Sequence, residues 1–184
     1  MSSLDELRAR FLATSTLSMP IAGCLVWSAI GVAALFVPPP WVGWLAVYSM
    51  PIILPLAFLI EKLRGRNPFQ KEENPIATLF FQSIIGIGLL FPLVINAAAS
   101  AGDPMILVLG VAILSGVIWI QYGWGANDPV GLHHAIGRGI GCYLAYWLSP
   151  APFQATAICA VVSAAYLYTL VVMRKPESIE AGQR

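Results

Sequence analysis

Long apolar runs, each close to the length of a membrane crossing, dominate the chain, and short polar or proline-rich breaks divide them. A helix needs about 20 mostly apolar residues to cross the hydrocarbon core. Six segments meet that length: roughly 17–37, 41–61, 76–99, 104–124, 130–148 and 153–173. The breaks are Pro38-Pro39-Pro40, the polar run Lys62 to Asn74, Ser100 to Pro104, Gly125 to Pro129, and Ser149 to Pro152. Pro40, Pro75, Pro104, Pro129 and Pro152 stand just before or at predicted helix starts, where a missing N–H costs nothing. Apolar residues run continuously instead of alternating, so helices are expected and barrel strands are not.

The pattern predicts an all-α fold, an integral membrane bundle of about six transmembrane helices in three hairpins. It reads as a single domain: a cytoplasmic amphipathic segment over 1–16, the spans over 17–173, and a cytoplasmic tail over 174–184. In the leading segment, Ser3 followed by Glu6 fits a capping box, and Leu4, Leu7, Phe11 and Leu12 form one apolar face. A short helix lying on the inner leaflet is expected there. The following apolar stretch has the length of a full span, so it reads as part of the mature protein and not as a signal core. Pro20, Pro51, Pro55 and Pro92 fall inside predicted helices, where each removes a backbone hydrogen bond.

Composition sharpens the membrane reading. Of 184 residues, 58% are hydrophobic and 10% are charged, against roughly a quarter charged in soluble domains. A domain this small cannot hide that much apolar surface from water. The formal net charge of +1 gives no reason to expect nucleic acid. The placement of Lys and Arg says more. Arg8, Arg10, Lys62, Arg64, Arg66, Lys71, Arg174, Lys175 and Arg184 all fall on one side of a six-span chain, and the opposite turns carry none. By the positive-inside rule both termini are cytoplasmic.

Candidate chemistry concentrates in the fifth span. Arg138 is a charge within a membrane segment, which is a functional hypothesis by default. His134 lies one turn away on the same face. Gly137, Gly141 and Ala145 form a small-residue stripe that would admit a neighbouring helix. Arg138 lies roughly 12 Å from the start of its span, close enough to snorkel toward the inner headgroups. Glu61, Gln82, Gln121, Tyr122, His133 and His134 fall at a similar depth on four helices. They are expected to converge with Arg138 in a cytoplasm-facing ligand site, with Glu61 as the carboxylate partner of Arg138 and Asp128 as the second choice. In the outer half, Asn96 reads as a helix–helix contact, and most of the six Trp residues stand near span ends as an aromatic belt.

Other chemistry finds little support. Adjacent His133 and His134 point about 100° apart on a helix, and no further ligand stands at metal spacing, so neither metal nor cofactor is expected. Cys24, Cys142 and Cys159 are odd in number and lie in apolar segments, as spectator thiols do. No nucleophile–base order or phosphate-cradling loop appears.

The run Leu54-Pro-Leu-Ala-Phe-Leu-Ile-Glu-Lys-Leu-Arg-Gly65, with Asn67-Pro-Phe69, Asn74-Pro75, Phe91-Pro92 and Gln121-Tyr-Gly-Trp124, resembles a family of small uncharacterised bacterial multi-pass membrane proteins, a domain-of-unknown-function family. The resemblance spans most of residues 1–125. It implies an inner-membrane location and carries no activity, and it does not include His133, His134 or Arg138.

Three functions fit these observations. The first is a small-solute transporter or channel-like protein, with Arg138 and the histidines facing an anionic solute. The absence of acidic residues within the spans disfavours a proton- or sodium-coupled pump. The second is an inner-leaflet lipid-handling enzyme or lipid-binding protein with Arg138 on a headgroup. The third is a non-catalytic membrane partner acting through small-residue faces, with homo-oligomers included.

Overall fold

A computed structural model describes residues 2–14, 17–65 and 74–174. Among them are eight helices: α1 (Leu4–Thr14), α2 (Ser18–Ala33), α3 (Pro39–Leu63), α4 (Pro75–Gly88), α5 (Phe91–Ala101), α6 (Met105–Ala126), α7 (Val130–Leu148) and α8 (Gln154–Val172). The described residues contain no strand. Arg66, Lys71, Lys175, Arg184 and the Asn67-Pro-Phe69 motif lie outside the described residues.

Local chemistry sets the helix ends. Pro39 stands in the first turn of α3. The Asn74 side chain caps α4 by accepting from the Ile76 N–H at 3.0 Å. Gly102 ends α5 and Asn127 ends α6, both in the left-handed conformation. Asp128 then accepts from the Val130 N–H at 3.1 Å to open α7, and its second oxygen accepts from the Arg174 N–H at 2.8 Å. The capping box forms as the sequence predicts: the Ser3 N–H donates to Glu6 at 3.0 Å and the Glu6 N–H to Ser3 at 3.2 Å.

Each predicted span is helical, but the spans differ in character. Four helices are long and apolar enough to cross a membrane: α3, α4–α5 taken together, α6 and α8. The pair α1–α2, bent by 52°, makes a fifth if it is one span. α7 has 19 residues, but His133, His134, Arg138 and its glycines lower its hydropathy below that of the others. The third predicted span is divided at Leu89–Leu90, just before Pro92, whose ring cannot continue the hydrogen-bond ladder. α3 runs unbroken through Pro51 and Pro55.

α2, α6, α7 and α8 form the tightly packed half of the molecule. The Tyr166 ring lies directly on Gly23, and Cys159 lies on Gly31. The α6–α7 crossing is closer still: a Cβ on Gly131 would stand 2.1 Å from the Trp119 carbonyl oxygen and 2.6 Å from Gly123 Cα. Gly137, by contrast, has nothing within 4 Å of where its Cβ would be, while a Cβ on Gly141 would stand 2.7 Å from a methyl of Val161. The expected stripe therefore forms in part: Gly141 lies against α8, and Gly137 meets no neighbour. Gly131, the second residue of α7, makes the closest approach, and Gly137 faces outward.

α4 and α5 rest on α6, with Val94 over Gly110, and bury almost nothing else: Ile76 and Ala98 alone are fully enclosed. α3 packs on α2 and on α6, where Leu107 covers Gly43. α3 and α4 stand apart, and a cleft of about 1250 Å³ opens between them over α6. α1 does not present one undivided apolar face to lipid as the sequence suggests. Phe11 and Leu12 are buried, Phe11 against Phe80, Tyr122 and Gly125, while Leu4 stays exposed. Asn74 fixes this arrangement by donating to the Leu7 carbonyl at 2.9 Å.

Candidate functional site

α6 and α7 run antiparallel in a four-residue register that brings Gly123 to Gly131, Trp119 to His134 and Ser115 to Arg138. Residues four apart share a helix face, so the close glycine crossing holds the two polar pairs in line below it. Arg138 and His134 are each only 1% exposed. Arg138 therefore lies inside the bundle and does not snorkel to the headgroups. Gly116 makes room for it, because a Cβ there would stand 3.0 Å from the Arg138 Cδ.

The hydrogen bonds form a directed chain. Arg138 Nη2 donates to Ser115 Oγ at 2.6 Å, and Ser115 donates to the Val111 carbonyl at 2.6 Å. Arg138 Nη1 reaches His134 Nε2 at a long 3.5 Å, and His134 Nδ1 meets Thr169 Oγ1 at 2.7 Å. Thr169 donates to the Ala165 carbonyl at 2.9 Å. A consistent assignment places the His134 proton on Nδ1, donating to Thr169, and leaves the Nε2 lone pair for the guanidinium. His134 stacks on Trp119 with ring centres 4.5 Å apart, and the edge of Tyr166 meets it at 5.0 Å.

No carboxylate of the described residues pairs with Arg138. The guanidinium instead lies over the rings of Trp27 at 5.3 Å and Tyr166 at 5.4 Å. Its Nε and the indole N–H groups of Trp27 and Trp119 have no hydrogen-bond partner. Isolated buried cations cost several kcal/mol, and here aromatic faces and hydroxyls offset part of that in place of an anion.

The expected Glu61–Arg138 pair is not formed. Glu61, at the end of α3, accepts from the Ser18 hydroxyl and pairs with Arg64, one turn away in sequence, at 3.5 Å. Asp128 does not pair with Arg138 either, because both its oxygens serve backbone N–H groups. Gln82 is exposed on α4. The Gln121 amide turns onto its own helix, within donating distance of the Val117 and Ile118 carbonyls. His133 lies on an exposed face of α7, 3.1 Å from the Tyr168 hydroxyl. The seven predicted residues thus divide. His134 and Arg138 form a core cluster, Glu61 and Tyr122 line the cleft, and Gln82, Gln121 and His133 join neither.

Ser115, Thr169, Tyr166, Trp119 and Trp27 complete the cluster and were not anticipated. The two tryptophans are interior and not part of an aromatic belt. Their only sequence signal is position, since both stand well inside predicted spans. Among the described residues, no three His, Cys, Asp or Glu side chains come together as metal ligands.

The cluster and the cleft share a wall. Ser115, Trp119 and Tyr166 touch Arg138 or His134 on one side and line the cleft on the other. The cleft is graded along its length. Thr14, Glu61, Asn74, Thr78 and Tyr122 line the end where α3 finishes and α4 begins. Toward the other end its walls are Val47, Met50, Ile53, Ile84, Ile87 and Phe91, with Tyr48 the polar side chain among them. Val47 and Glu61 are about 21 Å apart along α3.

A family model described as "Family of unknown function (DUF7010)" matches residues 4–175. The match extends through α7 and α8, beyond the motifs that carry the sequence resemblance. No curated protein and no solved structure matches the chain.

Proposed function

The chain belongs to this family of unknown function (DUF7010), and on that footing we propose that it binds a membrane lipid in the cleft between α3 and α4. The cleft carries this reading. Its volume of about 1250 Å³ exceeds the ~300–1,000 Å³ usual for small-ligand pockets, and its walls are mostly apolar, with Glu61 and most of the polar groups at one end and Tyr48 at the other. An acyl chain along the ~21 Å of α3 would run past the depth of one leaflet, about 15 Å, or half the hydrocarbon core. The gap between α3 and α4 gives entry from the side, so a lipid need not cross water. The Lys and Arg distribution supports an orientation with the polar end of the cleft on the cytoplasmic side, and the sequence resemblance supports a bacterial inner membrane.

The small-solute transporter reading receives less support. It relied on Gln82, Gln121 and His133 joining Arg138 around a polar site, and they do not meet there. Arg138 and His134 are one side-chain layer behind the cleft wall, where they set its shape through Ser115, Trp119 and Tyr166.

Native mass spectrometry of protein purified in mild detergent tests the proposal. Wild type should retain about one lipid per chain. Ile84→Trp, which fills the apolar end, should lose it while keeping its helical circular dichroism and its elution volume. Wild type that carries no lipid, even after incubation with excess phospholipid, would refute the reading. Solute flux in proteoliposomes at rates that Ile84→Trp does not alter would return the transporter reading to first place.

A further inference from the structure

The polar end of the cleft holds a carboxylate with an unused face. Glu61 is only 5% exposed, yet its side chain lines the cleft. Both of its contacts, the Ser18 hydroxyl and the Arg64 guanidinium, go to the same oxygen, Oε1. Among the described residues no group donates to Oε2. Oε2 keeps accessible surface where Glu61 lines the cleft, so it is free to accept from a donor placed there. Among the described residues Glu61 is also the only acidic group lining the cleft. An occupant with a cationic donor would find Oε2 open to it.

The charges at this mouth are ordered. Glu61 and Arg64 stand 3.5 Å apart at the end of α3, with Arg64 the more exposed. A zwitterionic headgroup carries the complementary pair, an ammonium to meet the carboxylate and a phosphate to meet the guanidinium. Phe11, Phe80 and Tyr122, packed together with ring centres 6.1 Å apart, line the same end and offer aromatic faces that an ammonium favours. Asn74, also at this end, has both amide atoms engaged by Leu7 and Ile76, so it does not compete for the head.

Resting on the lipid-binding reading of the cleft, we infer that its occupant is an amine-headed phospholipid of the bilayer, its ammonium held by Glu61 and its phosphate by Arg64. Glu61 is then a headgroup-selecting residue, and the apolar length of the cleft contributes affinity without discrimination. A phospholipid with an uncharged alcohol head could use Arg64 and the apolar walls equally well but would leave the carboxylate unmet.

The test is a competition in native mass spectrometry between phosphatidylethanolamine and phosphatidylglycerol of identical acyl chains, added to delipidated full-length protein. A charge-assisted hydrogen bond is strong enough to give about a tenfold preference for the amine head in wild type. Glu61→Gln keeps an oxygen for Ser18 and Arg64 but removes the charge. It should bring the preference to about twofold or less, with phosphatidylglycerol binding unchanged. Should Glu61→Gln fold poorly, the wild-type preference and its loss on exchanging the primary amine for an acetylated one decide the matter without a variant. Equal binding of the two lipids to wild type would overturn the headgroup assignment and leave the cleft reading standing. Binding of neither would overturn both.

Discussion

Gly131→Ala and Gly137→Ala, two small changes on one helix, should move stability in opposite directions. At Gly131 the new methyl would stand 2.1 Å from the Trp119 carbonyl oxygen and 2.6 Å from Gly123 Cα. An ordinary C···O contact is about 3.3 Å or more, so α6 and α7 must separate locally by roughly 1 Å. Both obstacles are backbone, and no side chain can rotate away. Overpacking a filled site costs about 1–3 kcal/mol, and a rigid contact belongs at the upper end. Ala returns at most about 1 kcal/mol through helix propensity. The net is a loss of about 2 kcal/mol, or about 4–8 °C in Tm for a chain of this size. At Gly137 nothing lies within 4 Å, so only the propensity gain of about 0.5–1 kcal/mol remains, about 1–4 °C upward. Thermal unfolding in detergent, followed by tryptophan fluorescence, measures both. The reasoning fails if Gly131→Ala melts within a degree of wild type, or if Gly137→Ala is the more damaging change.

Four further outcomes follow from the same geometry. Thr169→Val, nearly equal in volume, leaves the buried His134 Nδ1–H without its 2.7 Å partner and should cost about 1–3 kcal/mol in detergent unfolding. Ser115→Ala removes the 2.6 Å bond to Arg138 while the charge stays buried, and should cost about 1–3 kcal/mol. Arg138→Met removes the charge itself and should be less harmful than Ser115→Ala, or even stabilising; the reverse ranking in the same assay would mean that the aromatic faces satisfy the cation fully. Asp128→Ala frees the start of α7 and the Arg174 N–H together. It should cost about 0.5–2 kcal/mol and speed hydrogen exchange at Val130 and Arg174.

Much of this architecture is written locally. Apolar runs of crossing length can only be helices once their backbone must satisfy itself, so the helical segments and most of their ends follow from the chain alone. The Ser3–Glu6 box and the Asn74 and Asp128 caps involve partners two or three residues away, and such contacts form whatever the rest of the fold does. The shared face of His134 and Arg138 is likewise a property of one helix.

Partnership between helices is decided elsewhere. Residues at equal depth can face any direction, because depth fixes position along a helix axis and leaves rotation about it open. Glu61 and Arg138 are the clearest case: they were matched by depth, yet Ser18 and Arg64 take the carboxylate and the rings of Trp27 and Tyr166 take the guanidinium. Which glycine admits a neighbour depends on the crossing point of two helices, and only packing sets that, so Gly131 rather than Gly137 makes the contact. The cleft is the strongest example. It exists because α4 and α5 lean on α6 and not on α3, and no window of sequence records where a helix is absent.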